Sequence, residues 1–177
     1  MRLEPPEQIF LRDINDYSEP MSISHPVRIE LLQGPSQAWL NLRIALWPHE
    51  SPESHHQEIL GFLAEPSRFQ SLMAIDPKGH PLGFIEGSIR SDYVNGTTSS
   101  PVGYIEGLYV VEAHRRHGIA RQLIDRLTLW FVANQCCEMA SDTAPSNQTS
   151  IAAHLKLGFQ ETERAVFFKK QIGLESD

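Results

Sequence analysis

A basic, glycine-containing turn is the part of this sequence best suited to bind an anion. An apolar, β-rich run ends at Val111, and the turn that follows contains Arg115, Arg116 and Gly118. An amphipathic run begins directly after Gly118, and its pattern predicts a helix. The first N–H groups of a helix lack intrahelical acceptors, and that end of the helix dipole is positive. The order of strand, basic turn and helix therefore favours a bound phosphate or pyrophosphate.

The small residues of this turn support the same interpretation. Gly118 and Ala120 follow Arg115 at fixed spacing, and their size would let the backbone approach a phosphate closely. A basic turn that only caps a helix would use similar residues. On the residues of the turn alone, both interpretations stay open.

Composition narrows the class of protein. A chain of 177 residues with 41% hydrophobic residues suits a single domain with a substantial core. No run approaches the roughly 18 apolar residues of a membrane span, so we expect no membrane partner. The net charge is −7 with only 15 Lys and Arg, which argues against a nucleic-acid partner. The negative charge favours a cationic small molecule, and a role in solubility alone stays open as the alternative.

The cysteines and the first residues bear on the compartment. The two cysteines, Cys136 and Cys137, are adjacent, and neighbouring cysteines rarely bridge each other. The first residues lack the basic head and apolar core of a secretory signal. We therefore expect a reduced, cytoplasmic protein. Two adjacent thiols without a spaced histidine pair also make a poor zinc site, and we expect no metal.

Hydrophobic periodicity predicts an alternation of strands and helices. Strands are predicted at residues 27–32, 69–75, 82–89, 102–111 and 137–140. Helices are predicted from Ser36 to Trp47, from Ser51 onward, at 118–133 and at 151–157. Residues 159–162 and 165–170 are predicted to form a final hairpin. This order indicates the α/β class with a mixed sheet.

The ends of the chain differ from its middle. Residues 1–24 are polar and interrupted by prolines, which predicts a loosely held N-terminal extension. The predicted domain covers residues 25–173, and residues 174–177 form a short C-terminal tail.

The order of elements, with the Arg115-x-x-Gly118-x-Ala120 spacing, resembles the GNAT superfamily of N-acetyltransferases. Longer strings narrow the resemblance to the bacterial aminoglycoside 6′-N-acetyltransferases. These strings are Leu46-Trp47-Pro48, residues 88–96, residues 138–143, and the run from Asn147 through residues 157–164. The resemblance implies a GNAT-type α/β fold. Its central sheet would be mixed and mostly antiparallel, with a splayed strand pair and flanking helices.

The resemblance implies that acetyl-CoA is the co-substrate and that its pyrophosphate meets the basic turn. The pantetheine arm would run beside the end of the preceding strand, where the backbone N–H of Val110 would polarise the thioester carbonyl. The cofactor-binding positions would then be Leu108, Tyr109, Val110, Arg115, Arg116, His117, Gly118, Ile119, Ala120, Arg121 and Asn147. Asn147 also suits a helix N-cap, and both roles are compatible.

The acceptor implied by the resemblance is a polycationic aminoglycoside. The matching positions are Trp47, Glu50, Tyr93, Glu106, Asp142 and Glu163, with His49 as the alternative to Glu50. Glu106 stands in an otherwise apolar strand, where a carboxylate is costly unless it faces a cleft or a partner. We expect Glu106, with Val110, to be catalytic, removing a proton from the ammonium through water or orienting the amine. A structural carboxylate bonded to its surroundings is the alternative.

The sequence departs from the family in one respect. Many GNAT enzymes use a tyrosine to protonate the leaving thiolate, whereas the late run here reads Val166-Phe167-Phe168. The sequence therefore indicates no general acid. Two other functions stay open, acetylation of a different amine such as a polyamine or peptide, and acyl-CoA sensing without catalysis. Related enzymes pair, so we expect a homodimer.

Overall fold

The computed structural model of the protein describes residues 27–171. The predicted extension at 1–24, the tail at 174–177 and the outermost residues of the predicted domain lie outside this range. Within it, no helix is long and apolar enough to cross a membrane.

A five-stranded mixed sheet forms the centre of the fold. Its strands are β1 (Arg28–Leu31), β2 (Phe69–Ile75), β3 (Pro81–Arg90), β4 (Val102–Val110) and β5 (Met139–Ala140). They lie side by side in chain order. The first three neighbouring pairs are antiparallel, and β4 and β5 are parallel. The predicted sheet, mixed and mostly antiparallel, is confirmed.

Four α-helices connect and cover the strands. They are α1 (Gln37–Leu46), α2 (Pro52–Ala64), α3 (Ile119–Ala133) and α4 (Gln148–Leu157). Side chains of Ser36, Ser51 and Asn147 accept a backbone N–H at the starts of α1, α2 and α4. These N-caps confirm the predicted starts of α1 and α2, whereas α4 begins three residues before the predicted residue 151, directly after its cap. The predicted cap role of Asn147 is among them.

The sheet separates two hydrophobic cores. On one face α3 packs against the strands through residues such as Leu123, Leu127 and Phe131. On the other face α1 and α2 pack through Trp39 and Ile59. Alternation along the strands supplies both cores, because successive side chains point to opposite faces. The face toward α1 and α2 also carries most of the polar side chains described below.

The predicted final hairpin is wrong. Residues 159–171 contain no strand in the structure. A strand needs a neighbouring strand for its ladder of hydrogen bonds, and the sheet of this chain ends at the two-residue strand β5. No strand among residues 27–171 pairs with this segment, and its consecutive apolar residues Val166, Phe167 and Phe168 are 78%, 82% and 94% exposed.

Candidate active site

The turn between β4 and α3 has the backbone geometry of an anion cradle. A short 3₁₀-helix, Glu112–His114, leads into Arg116 and Gly118, whose φ angles are +64° and +76°. Unlike the other three α-helices described here, α3 begins without a side-chain cap. Its first internal bond is donated by Gln122 to Gly118, so the N–H groups before Gln122 point out of the helix. This end of α3 suits a phosphate.

The side chains of the turn have different roles. Arg115 folds back, and its Nε donates to the carbonyl oxygen of Val110 at 3.0 Å. Arg121 donates to the carbonyl oxygen of Lys156 at 3.3 Å, so its guanidinium braces α4. The Nδ1 atom of His117 is buried and lacks a hydrogen-bond partner among the described residues. An unsatisfied buried nitrogen is uncommon in folded proteins, and a bound phosphate group could supply its partner. These features fit acetyl-CoA, whose pyrophosphate would lie at the start of α3.

Beyond this turn, β4 and β5 separate. They pair only where Gly103 and Tyr104 face Met139 and Ala140, and β4 continues to Val110 without β5 beside it. The splayed strand pair expected from the resemblance is therefore present.

The separation leaves the predicted oxyanion donor facing a gap. The N–H of Val111 donates to Leu82 on β3 at 2.8 Å. Successive N–H groups of a strand point to opposite edges, so the N–H of Val110 faces away from β3. It thus faces the side from which β5 has departed, where a thioester could reach it.

A narrow recess lies at the point where the strands part. Its walls lie so close together that no volume the size of a water molecule is free between them. The residues lining it come from β4, α3, α4 and the segments after β5 and α4, and they are Ile105, Leu108, Ile124, Ser141, His154, Leu157 and Phe159. Leu108 is the predicted cofactor residue among them. The lining is largely apolar.

His154 is the titratable residue of this recess. One ring nitrogen lies 2.9 Å from the Ser141 hydroxyl, and the other lies 2.8 Å from the Ser150 carbonyl oxygen. Burial lowers the pKa of His154 below its ordinary value. The imidazole is therefore neutral at neutral pH and fixed by two hydrogen bonds.

A bulge in β4 determines where Glu106 points. Glu86 on β3 faces Gly107, but the next residue, Gly87, faces Ile105, so Glu106 is the extra residue. Ile105 and Leu108 both belong to the core beneath α3. Glu106 and Gly107, between them, are therefore both directed to the opposite face of the sheet.

The carboxylate of Glu106 is held by an arginine and a serine. Arg90 at the end of β3 donates to both carboxylate oxygens, at 2.8 and 2.9 Å, and Ser88 donates a further hydrogen bond. Glu106 is only 12% exposed. Its charge is thus paired rather than isolated, as a largely buried carboxylate requires.

Asp142 joins this group through Tyr104. The Arg90 guanidinium lies 3.4 Å from the centre of the Tyr104 ring, and the Tyr104 hydroxyl donates to Asp142. Burial, and secondarily the Asp142 charge, raises the pKa of Tyr104 far above its ordinary value, so the hydroxyl stays protonated. Two of the predicted acids, Glu106 and Asp142, therefore belong to one connected polar cluster with Arg90 between them.

The remaining predicted acceptor residues lie on other elements, and only Trp47 is shown next to this cluster. Trp47 lies over β4, because a Cβ on Gly107 would come within 2.6 Å of its ring. Glu50 is in the exposed turn between α1 and α2, and Tyr93 is 76% exposed in the loop after β3.

The loop of Tyr93 touches the segment that carries Glu163. Gly96 in this loop contacts Thr162, which precedes Glu163. Glu163 itself is exposed. The loop after β3 and the segment after α4 are thus neighbours, although the structure records no direct contact between Tyr93 and Glu163.

Sequence reasoning missed three members of the polar cluster, namely Ser88, Arg90 and Tyr104. Strand alternation was the available signal, since Glu86, Ser88 and Arg90 are two residues apart and share one face. Their partnership with Glu106 depends on the pairing of β3 with β4. Among the described residues, no group of three or more potential ligands is arranged to hold a metal ion.

Comparison with known proteins identifies the family. Residues 36–159 match the family model "Acetyltransferase (GNAT) family", and this chain belongs to that family. A relative from Acinetobacter haemolyticus, an aminoglycoside N(6′)-acetyltransferase type 1, is 48% identical over 134 residues, or 76% of this chain and 90% of the relative. A relative of the same name from Salmonella typhimurium is 42% identical over 136 residues, or 75% and 90% of the two chains.

Solved structures agree with these relatives. The complex of AAC(6′)-Iy with the bisubstrate analogue CoA-S-monomethyl-acetylneamine matches with a TM-score of 0.78 and 38% identity, over 83% of this chain and 99% of that one. The aminoglycoside 6′-N-acetyltransferase AAC(6′)-Ih from Acinetobacter baumannii matches with a TM-score of 0.77 and 39% identity, over 84% and 100%. The expected GNAT-type fold is confirmed.

Proposed function

We propose that this protein transfers the acetyl group of acetyl-CoA to the 6′-amino group of aminoglycoside antibiotics and thereby confers resistance. The observation that carries the proposal is the arrangement along β4. This strand presents the Val110 N–H to the gap beside β5 and the Glu106 carboxylate to the polar cluster. Relatives 36–48% identical to this chain bear the corresponding enzyme name.

The reaction proceeds by direct attack of the amine on the thioester, with both substrates bound together. The anion cradle at α3 holds acetyl-CoA, and the arm enters the gap beside β4. As the amine attacks, negative charge develops on the thioester oxygen, and the N–H of Val110 donates to it. One well-placed donor of this kind lowers a barrier by about 3–4 kcal/mol. Holding both reactants in line supplies a further part of the rate enhancement.

Glu106 acts on the incoming ammonium group. Arg90 and Ser88 hold the carboxylate in place, and its negative charge attracts the cation and orients it. It also receives the proton that the amine must lose before attack, through an intervening water. Trp47, Glu50, Tyr93, Asp142 and Glu163 complete the acceptor site as contacts to the sugar rings and remaining ammonium groups.

The thiolate departs without a dedicated acid. A thiol has a pKa of about 8.5, so its conjugate base leaves without prior protonation and takes a proton from water.

The activity is tested by thiol release from acetyl-CoA with matched acceptors. Kanamycin and tobramycin carry a 6′-amine, and paromomycin carries a 6′-hydroxyl in its place. We expect turnover with the 6′-amines and none with paromomycin. Turnover with a polyamine or a peptide amine alone would contradict the proposed substrate. Binding of CoA without turnover on any amine would contradict enzymatic function.

The role of Glu106 is tested by Glu106→Gln, which keeps shape and removes charge. We expect kcat to fall by roughly 10²–10⁴-fold, with loss of the rise in rate at higher pH that reports a general base. If the pH–rate profile keeps its shape and only the KM for the aminoglycoside rises, Glu106 orients the amine without accepting its proton. An unchanged rate at every pH would exclude it from both roles.

We infer that the protein forms a homodimer. Three consecutive apolar side chains, Val166, Phe167 and Phe168, are largely exposed, and a second copy could cover them. Light scattering at micromolar concentration should give twice the chain mass. The double variant Phe167→Ser, Phe168→Ser should be monomeric. A monomeric wild type would refute the inference.

We also infer a cytoplasmic location, because acetyl-CoA is made and consumed there and the two cysteines are unpaired thiols. Neither nucleic acid nor membrane is part of this proposal. Cell fractionation should recover the protein with cytoplasmic markers, and recovery with the periplasm would contradict the inference.

A further inference from the structure

A buried carboxylate on β3 lies outside the reaction described so far. Glu86 is completely buried. Its Oε1 accepts from the Trp39 indole nitrogen at 2.6 Å, and its Oε2 accepts from Arg43 at 2.6 Å. Complete burial raises the pKa of Glu86, while the Arg43 charge opposes that rise. The donors from α1 thus satisfy a group that would otherwise be costly at this depth.

Arg43 extends the network from β3 to α2. It is 2% exposed, and it also pairs with Glu58, whose side chain is 51% exposed. Its guanidinium lies 4.8 Å from the centre of the Trp47 ring and 5.6 Å from that of Phe62. Arg43 is therefore an ion-pair partner and, at the same time, a packing surface for Trp47.

Trp47 is held at both its ring and its backbone. His55 is fully buried and stacks on the Trp47 ring at 6.2 Å, while Phe84 meets the ring edge-on at 6.3 Å. The His55 ring nitrogen also lies 3.1 Å from the Trp47 carbonyl oxygen. The backbone at Gly107 leaves the space that the ring occupies. Trp47 as a residue is partly exposed, and its ring lies next to Gly107, which follows Glu106.

Stability alone does not account for this arrangement. Burying an ion pair costs desolvation, and well-packed apolar residues of similar volume often give an equally stable or more stable protein. The Glu86–Arg43 pair does, however, fix Arg43, and Arg43 with His55 fixes the Trp47 ring. The Glu86–Arg43 ion pair thus determines where the Trp47 ring lies at the edge of the polar cluster.

We propose that Glu86 and Arg43 are positioning residues that hold the Trp47 ring as a wall of the acceptor site. They act through Trp47 and touch neither substrate, so they govern affinity for the aminoglycoside and leave acetyl-CoA binding unaffected. The kinetic consequence rests on the proposed function, whereas the position of the ring does not.

The test compares Glu86→Gln with a matched core variant. Glutamine keeps the volume and an acceptor for the Trp39 indole but removes the charge that holds Arg43. Leu72→Ala also alters a buried residue of the sheet, but Leu72 belongs to the core beneath α3, on the face opposite Trp47. Loss of stability by itself would affect both variants alike.

The first measurement is ¹⁹F NMR of protein labelled with fluorotryptophan. The chain has three tryptophans, Trp39, Trp47 and Trp130, so each resonance can be assigned by a single Trp→Phe substitution. We expect Glu86→Gln to shift or broaden the Trp47 resonance and leave Trp130 unchanged, and Leu72→Ala to leave Trp47 unchanged. An unmoved Trp47 resonance in Glu86→Gln overturns the proposal.

The second measurement is the change in KM for each substrate. For Glu86→Gln we expect the tobramycin KM to rise roughly tenfold or more, with the acetyl-CoA KM unchanged, because a displaced binding wall weakens one substrate only. Equal rises in both KM values, or an unchanged tobramycin KM, overturn the proposal. If the wild type acetylates no aminoglycoside, the proposed function fails and the NMR result still decides the position of the ring.

A milder variant guards against failure to fold. Trp39→Phe keeps an aromatic ring and removes the indole N–H that donates to Glu86, together with the volume of the second ring. We expect a smaller change in the same direction, in both the Trp47 resonance and the tobramycin KM. If Glu86→Gln does not fold, unchanged values in Trp39→Phe refute the proposal.

Discussion

Replacing Gly118 by alanine separates backbone strain from ligand contact in the anion cradle. Gly118 has a φ of +76°, a conformation that costs an alanine about 1–2 kcal/mol. A Cβ there would meet no protein atom within 4 Å. Without a ligand, backbone strain is therefore the only way in which Gly118→Ala lowers the free energy of unfolding. For a chain of this size we expect Tm to fall by roughly 2–8 °C.

Gly79 provides a matched control. Its φ is +87°, a Cβ there would also meet nothing within 4 Å, and it lies in the turn between β2 and β3. Gly79→Ala should therefore lower Tm by a similar amount. Only Gly118→Ala should raise the KM for acetyl-CoA, because its methyl group occupies the space that a pyrophosphate would approach.

The assay is thiol release at varied acetyl-CoA, together with thermal unfolding of each variant without ligand. We expect the acetyl-CoA KM of Gly118→Ala to rise roughly tenfold, equivalent to about 1.4 kcal/mol of binding free energy. Gly79→Ala should keep the wild-type KM. If both variants lose stability equally and neither changes the KM, the pyrophosphate does not approach Gly118 and the assignment of the cradle is wrong.

Three further predictions concern stability. Burial lowers the pKa of His154, so below the ordinary value of 6.5 the unfolded chain binds more protons than the folded protein. Stability should therefore fall as pH drops below that value. Urea titrations at pH 5 and 7.5 should show a smaller fall for His154→Gln than for the wild type. A hydrogen bond from the backbone N–H of His80, with further hydrogen bonds, lowers the pKa of Asp76 to about 2. NMR titration of the Asp76 carboxylate should therefore give a midpoint near 2. Asp76→Asn should remove the part of the stability loss between pH 4 and 2 that protonation of Asp76 causes. Leu127 is fully buried, so Leu127→Ala should reduce the free energy of unfolding by about 2–5 kcal/mol, and a loss under 1 kcal/mol would contradict the assigned core.

The elements of the fold were largely predictable because their signals are local. Ser36, Ser51 and Asn147 cap helices through bonds to residues three positions ahead, so the sequence near each helix contains the whole interaction. The final hairpin failed for the opposite reason. β-branched and aromatic residues such as Val166 and Phe167 indicate that a segment can form a strand, but whether a partner strand lies beside it depends on the rest of the fold.

The candidate site also has a part that the sequence predicted and a part that it did not. The turn from Arg115 to Gly118 and the start of α3 are continuous in the chain, so the sequence alone predicted that this stretch can bind an anion. Glu106 was also visible, as a charge in an apolar strand. The sequence did not indicate that Arg90 holds this carboxylate, because that contact joins two strands across a bulge.

The sequence by itself determined the class of fold, the anion-binding turn and the identity of the acids. Each of these follows from short-range spacing, residue type or family resemblance. The tertiary structure alone decided which groups face one another. The bulge at Glu106 turns two successive residues of β4 to the same face, and the pairing of β3 with β4 brings Arg90 to Glu106. Packing of α1 and α2 then sets Trp47 against Gly107. Such contacts depend on register and packing between distant segments, and no local pattern encodes them.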